Sequence, residues 1–289
     1  MSTEADTELG GPTELSERER AAVEALLRGM ADDEFVLAER YIEWQVESPT
    51  LESDLSIANI AQDEYGHARL WYDLLEDFGA AEEDLIWEAD PTDFRHATLV
   101  ELPFAEGDWA DAIVRGYLFD VHERNLLDAL AGSQYPRIAD RVEKIRREEE
   151  YHLEHGRSWL EHLADDAPGR EHVQDALDRL FPYALTLFEP MAEEEDIVDL
   201  GLRTASVDDL RGQWLDEVVP YLESLGLRVP VDDVPVDDGA VLVDLPDRRG
   251  RNGDHTEHWP ELFEEFTFTY HDLDYARPPH LMEDPDDVE

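Results

Sequence analysis

Two Glu-x-x-His tetrads stand in this chain, Glu64-Tyr65-Gly66-His67 and Glu149-Glu150-Tyr151-His152. Positions i and i+3 of a helix share a face, so each carboxylate and imidazole can point at one ion. In a chain this rich in Glu, random placement gives roughly one or two such pairs, so the tetrads alone carry little weight. What precedes them carries more. Glu34 stands thirty residues before Glu64, and Asp120 twenty-nine before Glu149. Each of these spans reads as a helix, a short turn and a returning helix. At 1.5 Å per residue the first climbs roughly 20 Å and comes back about 15 Å, and the second does much the same, so each pair of acids ends near one level.

The expected result is four inward-pointing sets at one height of a bundle: a carboxylate and a Glu-x-x-His pair, given twice. That is the ligand set of ferritin-like di-iron and di-manganese carboxylate proteins. Hard carboxylate oxygens with borderline imidazole nitrogens suit two Fe ions, with Mn as an alternative. Four carboxylates balance two divalent cations, whereas four desolvated carboxylates without metal are expensive. The candidate ligands are therefore Glu34, Glu64, His67, Asp120, Glu149 and His152. Rivals remain: Glu39 and Glu43 for Glu34, and Glu123, one turn beyond Asp120. Glu149 lies between Glu148 and Glu150, a run that also reads as a solvated face. His96, His122, His155, His162 and His172 read as surface or cap residues. In His255-Thr256-Glu257-His258 a helix-capping Thr explains the polar cluster as well as a metal does. Trp44, Trp71, Tyr72, Trp159, Phe181 and Phe188 read as core residues or as contacts between subunits.

The background is strongly acidic. The 289 residues include 74 Asp and Glu against 23 Lys and Arg, for a formal charge of −51. All the basic residues but Lys144 are Arg. This excludes nucleic-acid binding and docking on an anionic membrane as main activities. It resembles the composition of extreme halophiles, whose surface carboxylates hold water and cations where salt screens their repulsion. The chain has no Cys, which excludes disulfides, thiolate metal sites, iron–sulfur clusters and cysteine nucleophiles. No apolar run is long enough to span a membrane, and the acidic N-terminus lacks a Sec-type signal, so the expected location is the cytoplasm.

The elements that must position these residues are helices. Residues 1–15 read as a disordered acidic tail and 16–289 as a single all-α, ferritin-like domain with additional C-terminal helices. Helices are expected over 15–46, with a break near 29–32, over 54–78 with Ser53 as N-cap and Gly79 closing, and over 108–131, 137–163, 171–188 and 207–225. Residues 80–107 read as an irregular connection with room for a short helix, 228–254 as a loop, and 259–270 as a last short helix.

Asp54-Leu-Ser-Ile-Ala-Asn-Ile-Ala-Gln-Asp-Glu-Tyr-Gly-His-Ala-Arg69 resembles the "LALANIALDLLGQAR" helix of PaaC, one of the two ferritin-like subunit families of phenylacetyl-CoA epoxidase. So do Val114-Arg-Gly-Tyr-Leu-Phe-Asp120, Glu150-Tyr-His-Leu-Glu-His-Gly-Arg-Ser-Trp159 and Gly253-Asp-His-Thr-Glu-His258. The resemblance implies a ferritin-like member of a multicomponent monooxygenase that epoxidises the aromatic ring of phenylacetyl-CoA. In such systems PaaA carries the di-iron site, and PaaC is a related structural partner that has largely lost the ligands. The assembly is completed by a separate NADPH-using reductase and a small bridging subunit. Where the PaaC helix reads Leu and Gln, this chain has Glu64 and His67. All six candidate ligands have the types found in PaaA.

The expected function is thus a non-haem di-iron monooxygenase component of a phenylacetyl-CoA epoxidising complex. The alternatives are a metal-free structural subunit of the same complex and a ferritin-like iron-oxidising protein. The expected partners are the other epoxidase subunits, the reductase and an aromatic acyl-CoA. Arg137, Arg141, Arg146 and Arg147 are the one cluster offered for coenzyme A phosphates, against the commoner role of a solvated helix face.

Overall fold

The computed structural model describes residues 8–45, 47–104, 107–230, 236–237, 240–241, 245–272 and 281. The first seven residues of the acidic tail, the end of the first expected helix at Val46 and ten residues of the 228–254 loop lie outside them. The class is all-α, ferritin-like, as the periodicity implied. Among the described residues no helix is long and apolar enough to cross a membrane. The chain divides into two compact units, Met1–Val23 with Phe104–Asp247, and Glu24–Pro103 with Arg248–Glu289. The helix α1 (Glu17–Glu43) begins in the first and continues in the second.

The second unit holds most of α1, then α2 (Leu51–Glu76), a π-helical turn Glu83–Trp87, a 3-10 turn Pro91–Asp93, the single turn α3 (Thr98–Glu101), a 3-10 turn Gly250–Asn252 and α9 (His258–Asp272). No break interrupts α1 at 29–32. Asp32 and Asp33 are buried there and satisfied by side-chain and backbone partners rather than by a chain reversal. Asp32 accepts from Tyr72 Oη at 2.6 Å, Arg28 Nε at 2.8 Å and the Arg95 amide at 2.7 Å. Asp33 accepts from Arg251 Nη2 at 2.5 Å and the Ala97 amide at 2.7 Å. The N-cap of α2 is Thr50, not Ser53; its hydroxyl accepts the Ser53 amide at 3.1 Å. Gly79, at φ +93°, makes the left-handed turn beyond that helix. Phe35, Phe94, Trp259, Phe263 and Phe266 form the aromatic core of this unit, with Phe35 and Phe266 edge to face at 5.2 Å.

The first unit contains α4 (Trp109–Leu130), α5 (Pro136–Ala164), α6 (Ala167–Ala184), a 3-10 turn Leu185–Phe188, α7 (Glu194–Asp199) and α8 (Val207–Ser224). A two-residue antiparallel pairing, Val236–Asp237 with Ala240–Val241, stands in the region expected to be loop. Asp108 and Asp111 form a capping box that starts α4, and Ser206 with Asp209 does the same for α8. Pro136 occupies the first turn of α5, where its missing N–H costs nothing. The helix expected from Glu171 begins earlier, at Ala167, because Asp166 caps the Gly169 amide at 2.8 Å. It gives way to 3-10 geometry just after Pro182. The short α7 carries no apolar periodicity long enough to read. The buried Trp214 of α8 donates its indole N–H to the Leu118 carbonyl of α4 at 2.9 Å and packs on Phe181 and Phe188.

Candidate metal centre

In the second unit, α1 and α2 bring Glu34, Glu64 and His67 together. The three residues are 3%, 0% and 0% exposed. Nδ1 of His67 lies 3.7 Å from Glu34 Oε2 and 3.7 Å from Glu64 Oε2. Those separations exceed a hydrogen bond. They suit two oxygens and a nitrogen that each stand about 2.1 Å from one ion. Glu64 and His67 share a face because they are one turn apart, and Ile57, Ile60, Ala61 and Ala68 around them are buried.

Glu34, rather than Glu39 or Glu43, sits beside His67. Glu39 is half-buried. Burial pushes its carboxyl up to about 7, against a hydrogen bond from Tyr65 that lowers it. Glu43 pairs with Arg40 at 2.7 Å.

In the first unit, Glu149 and His152 of α5 are each 1% exposed, with His152 Nδ1 3.0 Å from Glu149 Oε1. The reading of Glu149 as part of a solvated run does not hold, since its side chain faces inward while Glu150 faces out. Asp120 of α4 is 3% exposed, and its Oδ2 stands 3.7 Å from where a Cβ would be on Gly156. It therefore faces the α5 stripe that carries His152, one turn before Gly156. Glu123 is equally buried, so burial does not separate it from Asp120. Each unit thus holds a buried carboxylate and a buried Glu-x-x-His pair, a donor set of oxygens and imidazole nitrogens that fits Fe(II) or Mn(II).

Two histidines read as surface residues are buried instead. His122 packs edge to face on Phe188 at 4.9 Å. His96 is fully buried and bonds Glu101 at 2.8 Å. The apolar flanks of His96, in Phe94-Arg-His-Ala-Thr-Leu-Val100, were the signal for burial, but only the fold supplies its partner. Of the Arg cluster offered for phosphates, Arg146 pairs with Asp128 and Arg147 with Glu143, both on the exposed surface.

Residues 8–276 match the phenylacetic acid catabolic protein family. The chain belongs to that family. Among curated relatives it is 32% identical over 245 residues to the C subunit of 1,2-phenylacetyl-CoA epoxidase from Escherichia coli (strain K12), covering 83% of this chain and 92% of that protein. It is also 28% identical over 199 residues to the A subunit of the same epoxidase, covering 67% of this chain and 64% of that protein, just under two thirds of its length. These relatives are subunits of one multi-subunit enzyme, and the family match extends across both units described above.

Proposed function

We propose that this protein is a di-iron monooxygenase component of a complex that epoxidises the ring of phenylacetyl-CoA, with Glu34, Glu64, His67, Asp120, Glu149 and His152 as ligands. The observation that carries the reading is the placement of His67 Nδ1 at 3.7 Å from two buried carboxylates, in a helix where the PaaC stretch has Leu and Gln. The repeat of that composition around Glu149 and His152 supports it. When bound, the irons supply the redox chemistry by which O₂ is activated, with electrons drawn from NADPH through a separate reductase. The chain's own residues do the rest. The carboxylates neutralise the cations, and the imidazoles complete the donor set without adding charge. The apolar side chains around Glu64 and Asp120 keep water from the donors, which strengthens each electrostatic contact.

The higher identity and fuller coverage with the C-type relative favour a second reading, in which the chain is a structural partner and its metal-binding residues are inactive. Both readings place it among other epoxidase subunits, the reductase and a small bridging subunit, at work in the cytoplasm. The test loads metal-free protein with Fe(II) without oxygen, then assays the reconstituted complex for NADPH-dependent turnover of phenylacetyl-CoA. Two irons per chain, and loss of turnover in the Glu64→Leu/His67→Gln double variant, support the di-iron reading. Fewer than one iron per chain at saturation sinks it. Unchanged turnover in the double variant establishes the structural reading.

A further inference from the structure

We propose that His96, Glu101 and His255 form a second metal site, of the zinc type, that shares no residue with the six ligands above. All three lie in the second unit. His96 and Glu101 are fully buried, and the His255 side chain is 4% exposed. His96 Nε2 stands 2.8 Å, and His255 Nδ1 2.9 Å, from the same carboxylate oxygen, Glu101 Oε2. The two rings stack, with centroids 4.3 Å apart, under the indole of Trp259.

The hydrogen bonds around the trio show why a cation belongs there. His255 Nε2 lies 3.1 Å from the Phe94 carbonyl, which can only accept. That N–H is therefore committed, and the neutral ring turns the lone pair of Nδ1 toward Glu101 Oε2. Two electron-rich atoms at 2.9 Å repel unless a cation lies between them. A proton meets that need, and so does a metal ion that also draws in His96. The remaining contacts are those that hold ligands in place. The Phe94 carbonyl orients His255, and the Thr256 amide donates to Glu101 Oε1 at 2.7 Å, leaving Oε2 for the ion. Two imidazoles and one carboxylate match zinc better than calcium or magnesium, which favour all-oxygen sets.

The backbone is built for this approach. A Cβ on Gly250 would fall 2.3 Å from the His96 carbonyl, so only glycine lets the two segments touch here. Gly253, at φ +74°, turns the chain back before His255. Arg40 donates to the Glu101 carbonyl at 2.9 Å and to the His258 carbonyl at 3.1 Å, tying both segments to α1.

On zinc uptake the ion replaces the proton that bridges His255 Nδ1 and Glu101 Oε2, and the His96 proton moves from Nε2 to Nδ1. One proton leaves per ion. The three donor atoms open by a few tenths of an ångström to tetrahedral ligand spacing. The ion then pins residues 249–259 to residues 94–101.

The test is an anomalous difference map at the zinc edge, from crystals of the chelator-stripped full chain soaked in zinc chloride. Metal content is measured in solution alongside it. A peak about 2.1 Å from the three donor atoms is expected. His96→Asn and Glu101→Gln, each checked for native circular dichroism, should lose that peak and one zinc per chain. The Glu64→Leu/His67→Gln variant should keep it, which separates this site from the di-iron reading. Titration in buffers of different ionisation enthalpy should show one proton released. A well-ordered trio without a peak at saturating zinc overturns the proposal and leaves a bridging proton in the ion's place. A peak that survives both single substitutions overturns it too.

Discussion

Exchanging Glu64 for Leu and His67 for Gln should shift stability in opposite directions with and without metal. Glu64 and His67 are fully buried, and the Glu34 and Glu64 carboxylates each stand 3.7 Å from one imidazole nitrogen. In metal-free protein, two neighbouring desolvated carboxylates oppose folding. Leu at 64 removes one of the two like charges and Gln at 67 keeps a polar partner for Glu34, and reducing the charge of a buried ionic cluster is often neutral or stabilising by about 1–4 kcal/mol. For a chain somewhat longer than 250 residues each kcal/mol is worth roughly 2 °C in Tm. The metal-free double variant should therefore melt level with the wild type or several degrees above it. Fe(II) at a hundredfold excess over its Kd stabilises the wild type by about 2.7 kcal/mol, or roughly 5 °C, and leaves the variant unmoved. Anaerobic scanning calorimetry of chelator-stripped protein, with and without Fe(II), reads both effects. The signature is a crossover: the variant is the more stable form without iron and the wild type the more stable with it. A metal-free variant at least about 2 kcal/mol less stable than wild type, together with a wild-type Tm indifferent to iron, would refute the reasoning. Glu64 would then hold α2 in place through protein partners alone.

Three further outcomes follow from the same contacts. Arg251→Met removes the buried partner of Asp33 and strands its carboxylate, so urea denaturation should show a loss of about 3–5 kcal/mol; a loss below about 1 kcal/mol would show that the pair is dispensable. Burial pushes His96 down to about 4, so it is neutral in the folded chain near pH 5 while the unfolded chain takes up a proton there. Burial works against the Glu101 carboxylate, yet hydrogen bonds from His255 and His96 hold it below the usual range. With chelator present, the His96 contribution should fade as pH drops from about 6.5 toward 4, by an amount on the order of 3 kcal/mol, and the Glu101 contribution should fade below about 4.5. Chemical denaturation of wild type against His96→Asn isolates the upper part of that loss, and parallel curves for the two proteins would contradict it. Finally, Ser206→Ala breaks the capping box of α8 and should cost about 1 kcal/mol in the same assay.

Much of this protein was legible in the chain itself. The helices around Glu34, Glu64, Asp120 and Glu149 follow from apolar steps of three and four residues, and Glu-x-x-His shares a face wherever a helix forms. The acidic balance and the lack of Cys exclude whole classes of chemistry, because they are properties of composition and no fold can reverse them. The boundaries were less legible. Thr50 and Ser53 are both good caps, and only the turn preceding α2 selects the first. The expected break at 29–32 is absent because Asp32 and Asp33 find partners at Arg95, Ala97 and Arg251, the last more than two hundred residues away in the chain.

The same physics governs which histidines matter. Local flanks mark His67 and His152 as inward-facing, since the helix that carries them also carries their carboxylates. His96 and His255 stack on one another and share Glu101, in a tertiary contact between two stretches too short for any periodicity to announce it. A short-range pattern sets which residue types share a helix face. Which distant side chains come to share a buried point is decided by packing, where an apolar enclosure makes each ionisable group find a partner or a cation.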